Sequence, residues 1–376
     1  MSQAPRAIPA ADAAELRDAV RGYYTERLTT GCCDPSGPNV VFESAPDVPS
    51  FGCGDPNAAA SFRAGETVLD LGSGAGFDAL RAAEAVGPTG SVIGVDMTPA
   101  MLEAARAVAE RLALRHVRFV EGTIEALPLE DACVDVVISN CVVNLSADVP
   151  RVLGEAHRAL RAGGRLRISD TFRFGAAPAE LDRDAWCACE AGAHQANQFS
   201  AQARAAGFVD VRVDPAPPGL ADGAIYGAVL HGTKPAISVE ADPAEGAELI
   251  EAAGLPLAGW DAANVVRWGV REAGVLLGVV ALERHGDYGL LRSLAVAPEA
   301  RGRGLAHALV AHALRASFAL GLRDVAGLTT TIPDLLPRWG FREVARDALP
   351  VALTASPELQ GACPTSARAF VRTVTA

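Results

Sequence analysis

Between residues 66 and 170 the chain switches repeatedly between two hydrophobic periods. Short apolar runs, TVLDL (67–71), SVIGVD (91–96), VRFVE (117–121), VDVVIS (134–139) and RLRISD (165–170), have the length of buried strands. Between them, FDALRAAEAV (77–86), PAMLEAARAVAERL (99–112) and PRVLGEAHRALRAGG (150–164) space their apolar residues as helices do. Strict alternation of strand and helix predicts an α/β fold with a doubly wound, mostly parallel sheet. A helix at FSAQARAAGF (199–208) and strands at VDVRVD (209–214) and AIYGAVLHG (224–232) are expected to close this unit near residue 233. Ahead of it, DAAELRDAVRGYYTERL (12–28) reads as an amphipathic helix leading into a loop that carries Cys32 and Cys33.

The stretch GTKPAISVEADPAEG (232–246) mixes Pro, Gly and charge like a linker, which divides the chain into domains at 1–235 and 236–376. The second domain begins with a helix, AEGAELIEAAGL (244–255). Strands VVRWGVRE (265–272), VLLGVVALERHG (275–286) and YGLLRSLAVAP (288–298) follow, then a helix over 301–321 and a strand at DVAGLTTT (324–331). This is an α+β pattern. No period of 20–50 residues repeats, so a solenoid is excluded.

Composition narrows the partners. The 376 residues are 50% hydrophobic and 21% charged, as in globular proteins, and the net charge of −12 argues against nucleic acid or an anionic membrane surface. No apolar run is long enough to cross a bilayer, and the first residues lack the apolar core of a signal peptide, so a cytoplasmic location is expected. Eight cysteines in such a chain are an unlikely disulfide framework, and no CxxC pair supports structural zinc. Seven of the eight precede residue 190. That bias calls for a chemical reason.

VLDLGSGAGFDAL (68–80) is a strand, a glycine-rich turn and the start of a helix. Gly72, Gly74 and Gly76 permit a tight turn and a close approach of backbone to ligand at a helix N-terminus. Asp96 ends the next strand, 20 residues after Gly76, where it can take two ribose hydroxyls. The spacing is GxGxG, and Asp70 stands two residues before the first glycine. A carboxylate there suits a ligand with an ammonium and a sulfonium and would repel a pyrophosphate. Ser73 in the turn, Met97 beside Asp96, the polar turn at Thr123, Ile124 and Glu125, and Asn140 at the fourth strand end complete the expected cofactor residues. The ligand this implies is S-adenosylmethionine.

Ligands of open α/β sheets sit beyond the carboxyl ends of the strands. Cys141 follows the fourth strand, Cys189 comes after the fifth, and Cys53 sits in a glycine-flanked bend before the first. SFGCGDP, VLDLGSGAGFD, VIGVDMTPAMLEAAR, ISNCVVNLSAD and CACEAGA resemble the consecutive motifs of arsenite methyltransferases over residues 20–235. The resemblance implies that Cys53, Cys141 and Cys189 hold arsenic(III) as thiolates, with Cys32 or Cys33 cycling between thiol and disulfide. It further implies arsenite and methylated arsenicals as substrates and a thiol reductant, thioredoxin or glutathione. Trivalent arsenic is soft and prefers sulfur, and its lone pair needs no general base. The alternatives are a methyltransferase for another small molecule and an arsenite-binding module. Cys133 and Cys187 are taken as structural.

In the second domain, LLRSLAVAPEARGRGLAHALVAHAL (290–314) is a strand, a turn and a helix. Val296, Arg301, Gly302, Arg303, Gly304 and Ala306 would present backbone N–H groups to a pyrophosphate. With LTTT, RWGF and CPTSA, this segment resembles the GCN5-related N-acetyltransferases of the arsenic-resistance type, which implies acetyl-CoA and a small amine acceptor. Many members have a Tyr where this chain has Leu336, so a degenerate domain is the alternative. Glu283, or else His285, is the candidate base acting through water.

Overall fold

The structure is a computed structural model that describes residues 10–30, 42–175, 186–187, 192–239 and 243–374. It divides into two compact units, Met1–Lys234 and Pro235–Ala376. The first opens with helix α1 (Ala10–Thr30) and a short helix α2 (Pro56–Ala60). The alternating core follows: β1 (Thr67–Leu71), α3 (Phe77–Val86), β2 (Ser91–Asp96), α4 (Pro99–Arg111), β3 (Val117–Glu121), β4 (Val134–Asn140), α5 (Val149–Ala159) and β5 (Leu160–Arg173). It closes with α6 (Ala196–Ala205), β6 (Val209–Val213) and β7 (Ile225–Thr233). Strand order is β3-β2-β1-β4-β5-β7-β6, with β7 antiparallel to its neighbours and β1 to β5 parallel. This is the class I methyltransferase arrangement.

The sheet is apolar on both faces, as a covered parallel sheet must be. In β1, Leu69 and Leu71 face the cluster packed by α5 and α6, while Val68 faces the one packed by α3 and α4. Helix ends follow local chemistry. The Asp148 carboxylate accepts from Arg151 N–H at 3.1 Å and starts α5, and Pro99 starts α4. The helix expected to run through Gly164 stops at Ala159 instead. Leu160 adopts an extended conformation, pairs with Val134, and begins a 14-residue strand. Apolar spacing alone does not mark such an end, because Leu160 is buried in either conformation.

In the second unit, α7 (Pro243–Ala252) precedes the sheet strands β9 (Val265–Glu272), β10 (Val275–His285) and β11 (Tyr288–Val296). Helix α8 (Leu305–Ala319) then crosses over to β12 (Asp324–Thr329), and β13 (Arg342–Val344) and β14 (Arg368–Thr373) finish the sheet. Part of the expected linker is itself a strand: β8 (Ile237–Val239) pairs antiparallel with β9, from Ile237 opposite Val270. A Pro-flanked, polar sequence is compatible with strand at a sheet edge. The order is β13-β14-β12-β11-β10-β9-β8, and β11 with β12 is its parallel pair. Those two pair only from Tyr288 to Leu291, after which β11 runs on to Val296 without β12 beside it.

Candidate active site

In the first unit the carboxyl ends of β1, β2 and β4 border an open cleft of about 970 Å³. Every residue expected to hold the methyl donor lines it except Gly76. The turn after β1 has positive φ at Gly72 (66°), Gly74 (51°) and Gly76 (91°), and Gly76 instead caps α3. A Cβ on Gly72 would lie 2.4 Å from the Val142 side chain, so the residue after Cys141 seats directly on the glycine turn. Asp96 braces that turn: it accepts from Gly74 N–H at 2.9 Å and from Thr98 N–H at 2.8 Å.

Asp70 is 2% exposed, and neither its Oδ2 nor the Ser73 hydroxyl has a hydrogen-bond partner among the described residues. Burial, then the charges of Asp78 and Asp96, push the Asp70 carboxyl well above the usual range. Burial likewise raises Asp78 to about 6. Arg81 reaches Asp78 at 3.5 Å, whereas no cation offsets the charge of Asp70, an arrangement that suits a cationic ligand. Arg17, Val20 and Tyr24 of α1 also line the cleft. Spacing in the sequence could not have found them, since only packing brings α1 here.

Two of the three expected arsenic ligands meet at this rim. The sulfurs of Cys53 and Cys141, 88 positions apart, are joined as a disulfide. The family resemblance implies redox cycling at Cys32 or Cys33; in the structure the disulfide joins two of the expected arsenic ligands, Cys53 and Cys141. A carboxylate oxygen of Asp170 lies within 4.8 Å of both sulfurs, and burial raises this carboxyl to about 7. Cys32, Cys33 and Cys189 lie outside the described residues. The elements before them do pack together: Leu16, Val20, Tyr23 and Tyr24 of α1 contact Trp186 and Cys187 in one cluster. Cys187 is buried there and Cys133 packs against the sheet core.

In the second unit, Gly304 (φ 95°) caps α8 and Gly302 (φ 79°) bends the preceding turn. The helix ladder begins with Ala308 N–H bonded to Gly304 O at 3.1 Å, so the N–H groups of Leu305 and Ala306 precede it and have no intrahelical acceptor. Arg301 donates to Val296 O at 3.3 Å, and Arg303 pairs with Glu272 at 2.9 Å. Glu283 is buried rather than a solvated base. Arg292 (3.0 Å), His285 (2.8 Å) and Ser356 (2.8 Å) take its two oxygens, and these partners hold its carboxyl below the usual range against the effect of burial. Arg292 also reaches Glu358 at 3.0 Å. Glu283 is therefore the hub of an ion-pair network, with three of its roughly four acceptor sites taken. Leu336 is buried.

Residues 62–207 match the family described as a methyltransferase domain, and residues 237–341 match the acetyltransferase (GNAT) family. An arsenite methyltransferase of Halobacterium salinarum is 44% identical over 234 residues, 54% of this chain and 60% of that protein. One from Aquipseudomonas alcaligenes is 38% identical over 234 residues, 56% of this chain and 67% of that protein. The chain belongs to the arsenite methyltransferase family. It spans about three-fifths to two-thirds of the length of these relatives. A crystal structure of an arsenic(III) S-adenosylmethionine methyltransferase from Chlamydomonas reinhardtii is 34% identical, with a TM-score of 0.43, covering 57% of this chain and 73% of that one.

The methyltransferase and GNAT domains imply S-adenosylmethionine and acetyl-CoA as cofactors. The residues present fit both. In the arsenite methyltransferase unit, the open space at Gly74 and the unpartnered Asp70 and Ser73 oxygens leave room and acceptors for an ammonium-bearing ligand. In the GNAT unit, the glycine turn and the N-terminal N–H groups of a 15-residue helix suit a pyrophosphate. No helix among the described residues is long and apolar enough to cross a membrane.

Proposed function

We propose that the first unit methylates trivalent arsenic held by cysteine thiolates, using S-adenosylmethionine as methyl donor. The observation that carries this is the meeting of Cys53 and Cys141 at the mouth of the cofactor cleft, with Val142 seated on Gly72. Reduction of that disulfide would free two soft ligands there, and Cys189 is the proposed third. Asp70 would take the ammonium group of the donor, Asp96 the ribose, and the turn at Thr123, Ile124 and Glu125 the adenine edge. The bound donor supplies an electrophilic methyl group, which the arsenic lone pair attacks without deprotonation. Catalysis is then chiefly proximity and alignment of two ligands held by rigid strand ends.

The electron count requires a reductant. Donation of the lone pair takes arsenic from the +3 to the +5 state. Two thiols must return two electrons as they close to a disulfide, which an external dithiol such as thioredoxin, or two glutathiones, reopens. Cys53 with Cys141 or Cys32/Cys33 are the proposed donors, and a reducing cytoplasm is the proposed setting. The second unit is proposed to acetylate a small amine with acetyl-CoA bound along Arg301–Ala306. A docking role is the outcome if titration of acetyl-CoA into the full chain shows no binding.

The test is arsenic speciation by mass spectrometry with S-adenosylmethionine, a thiol reductant, and arsenite or methylarsenite. No methylated product from either substrate ends the proposal. Cys141→Ser should abolish turnover while cofactor binding persists. A methyltransferase for an organic substrate would keep its activity, and a mere arsenite-binding module would keep arsenite affinity after Asp70→Ala.

A further inference from the structure

We propose that Asn140 is a positioning residue that sets the pairing of Cys53 with Cys141, and not a ligand of the methyl donor. Its carboxamide, at the last position of β4, is fully used. Oδ1 accepts from Cys53 N–H at 3.0 Å and Gly54 N–H at 3.2 Å, and Nδ2 donates to Gly54 O and to Asp78 Oδ2, each at 2.9 Å. Two acceptor sites and two hydrogens are all that an Asn amide has, so nothing remains for a cofactor. The opposite flip of the amide would set donor against donor and acceptor against acceptor, so the network fixes its orientation.

The loop it holds is shaped to fit. A Cβ on Gly52 would lie 2.1 Å from Asn140 Nδ2, and one on Gly54 would lie 1.9 Å from Ser169 Oγ. Neither glycine has a positive φ. Both flank Cys53 because side chains of β4 and β5 occupy the space, which gives the Gly-Cys-Gly stretch a steric reason. Cys141 is fixed on the same framework, in the left-handed region (φ 56°) with its N–H bonded to Ser169 O at 2.9 Å. Asn140 thus clamps the loop bearing one thiol to the strand end bearing the other, and through Asp78 to the first turn of α3 behind the glycine turn.

The consequence for arsenic rests on the proposed function; the consequence for the thiol pair does not. In full-length protein equilibrated with glutathione and glutathione disulfide, the Cys53–Cys141 bond forms as two thiols reduce one glutathione disulfide to two glutathiones. Differential alkylation and peptide mass spectrometry read its extent. Asn140→Ala is expected to lower this equilibrium constant at least tenfold, with S-adenosylmethionine affinity within threefold of wild type. Gly52→Ala, which strikes the clamp from the loop side, should act alike and decides the matter if Asn140→Ala does not fold. Phe199→Leu, in the distant core, controls for general destabilisation and should leave the constant within twofold. Arsenite affinity should fall with the thiol constant. An unchanged thiol constant in folded variants, or a tenfold loss of cofactor affinity in its place, overturns the proposal. If the wild type binds no arsenite, the proposed function fails while the glutathione titration still judges Asn140.

Discussion

Replacing Asp70 by Asn should strengthen the ligand-free fold and weaken cofactor binding at once. The side chain is 2% exposed, its Oδ2 has no partner, and Asp78 and Asp96 both add repulsion. The amide keeps the shape, removes the charge, and can donate toward those carboxylates. A buried polar group left unsatisfied costs about 1–3 kcal/mol, and more when charged, so the variant should gain about that much at pH 8. The pH dependence has a definite sign. Because the folded pKa is raised above the unfolded value of 3.8, the folded wild type binds this proton more tightly. It loses stability as pH climbs from the unfolded value through the folded one. The advantage of Asp70→Asn is therefore full above that window and vanishes below it. Against this, losing a charge-assisted hydrogen bond of about 1.5–3 kcal/mol should weaken S-adenosylmethionine roughly 10- to 150-fold. Urea unfolding at pH 8 and at acid pH, with cofactor titration calorimetry, measures both. A ligand-free variant less stable than wild type at pH 8, or a dissociation constant within threefold of wild type, refutes the reasoning.

The two glycines of the first turn should separate stability from binding. Gly72→Ala meets Val142 at 2.4 Å with φ at 66° and should cost both, whereas Gly74→Ala has open space around its Cβ and should lose roughly 1 kcal/mol while still blocking the cofactor, as thermal shifts with and without ligand will tell. In the second unit, Arg292→Leu removes the guanidinium shared by the buried carboxylates of Glu283 and Glu358 and leaves Glu283 only His285 and Ser356. It should cost about 3–5 kcal/mol in urea unfolding, partly recovered by adding Glu283→Gln and Glu358→Gln. Gly304→Val forces a branched residue to φ 95° at the head of α8 and should abolish acetyl-CoA binding by calorimetry; undiminished binding would place the coenzyme elsewhere.

What the sequence determined by itself was whatever depends on neighbours a few residues away. Strands β1, β2, β3 and β9 and helix α3 fall where their periodicity puts them, since burial on one or both faces is written at intervals of two or 3.6 residues. The glycine turn and Asp96 were legible for the same reason: strand, turn, helix and the next strand end form one continuous supersecondary unit. The edge strands β8 and β13 were not legible, because short edge strands carry little periodicity and exist through their partners; β14, between β13 and β12, was not legible either. Tertiary structure alone joined Cys53 to Cys141, brought α1 over the cleft, bonded the Asn140 amide to the Cys53 loop, and enclosed Glu283 between Arg292, His285 and Ser356. Each of these depends on which strands become neighbours, and the β1–β4 adjacency joins segments more than 60 residues apart. No local pattern encodes that choice. It is set by the global packing of two apolar sheet faces, which decides the strand order and with it the side chains that meet at the strand ends.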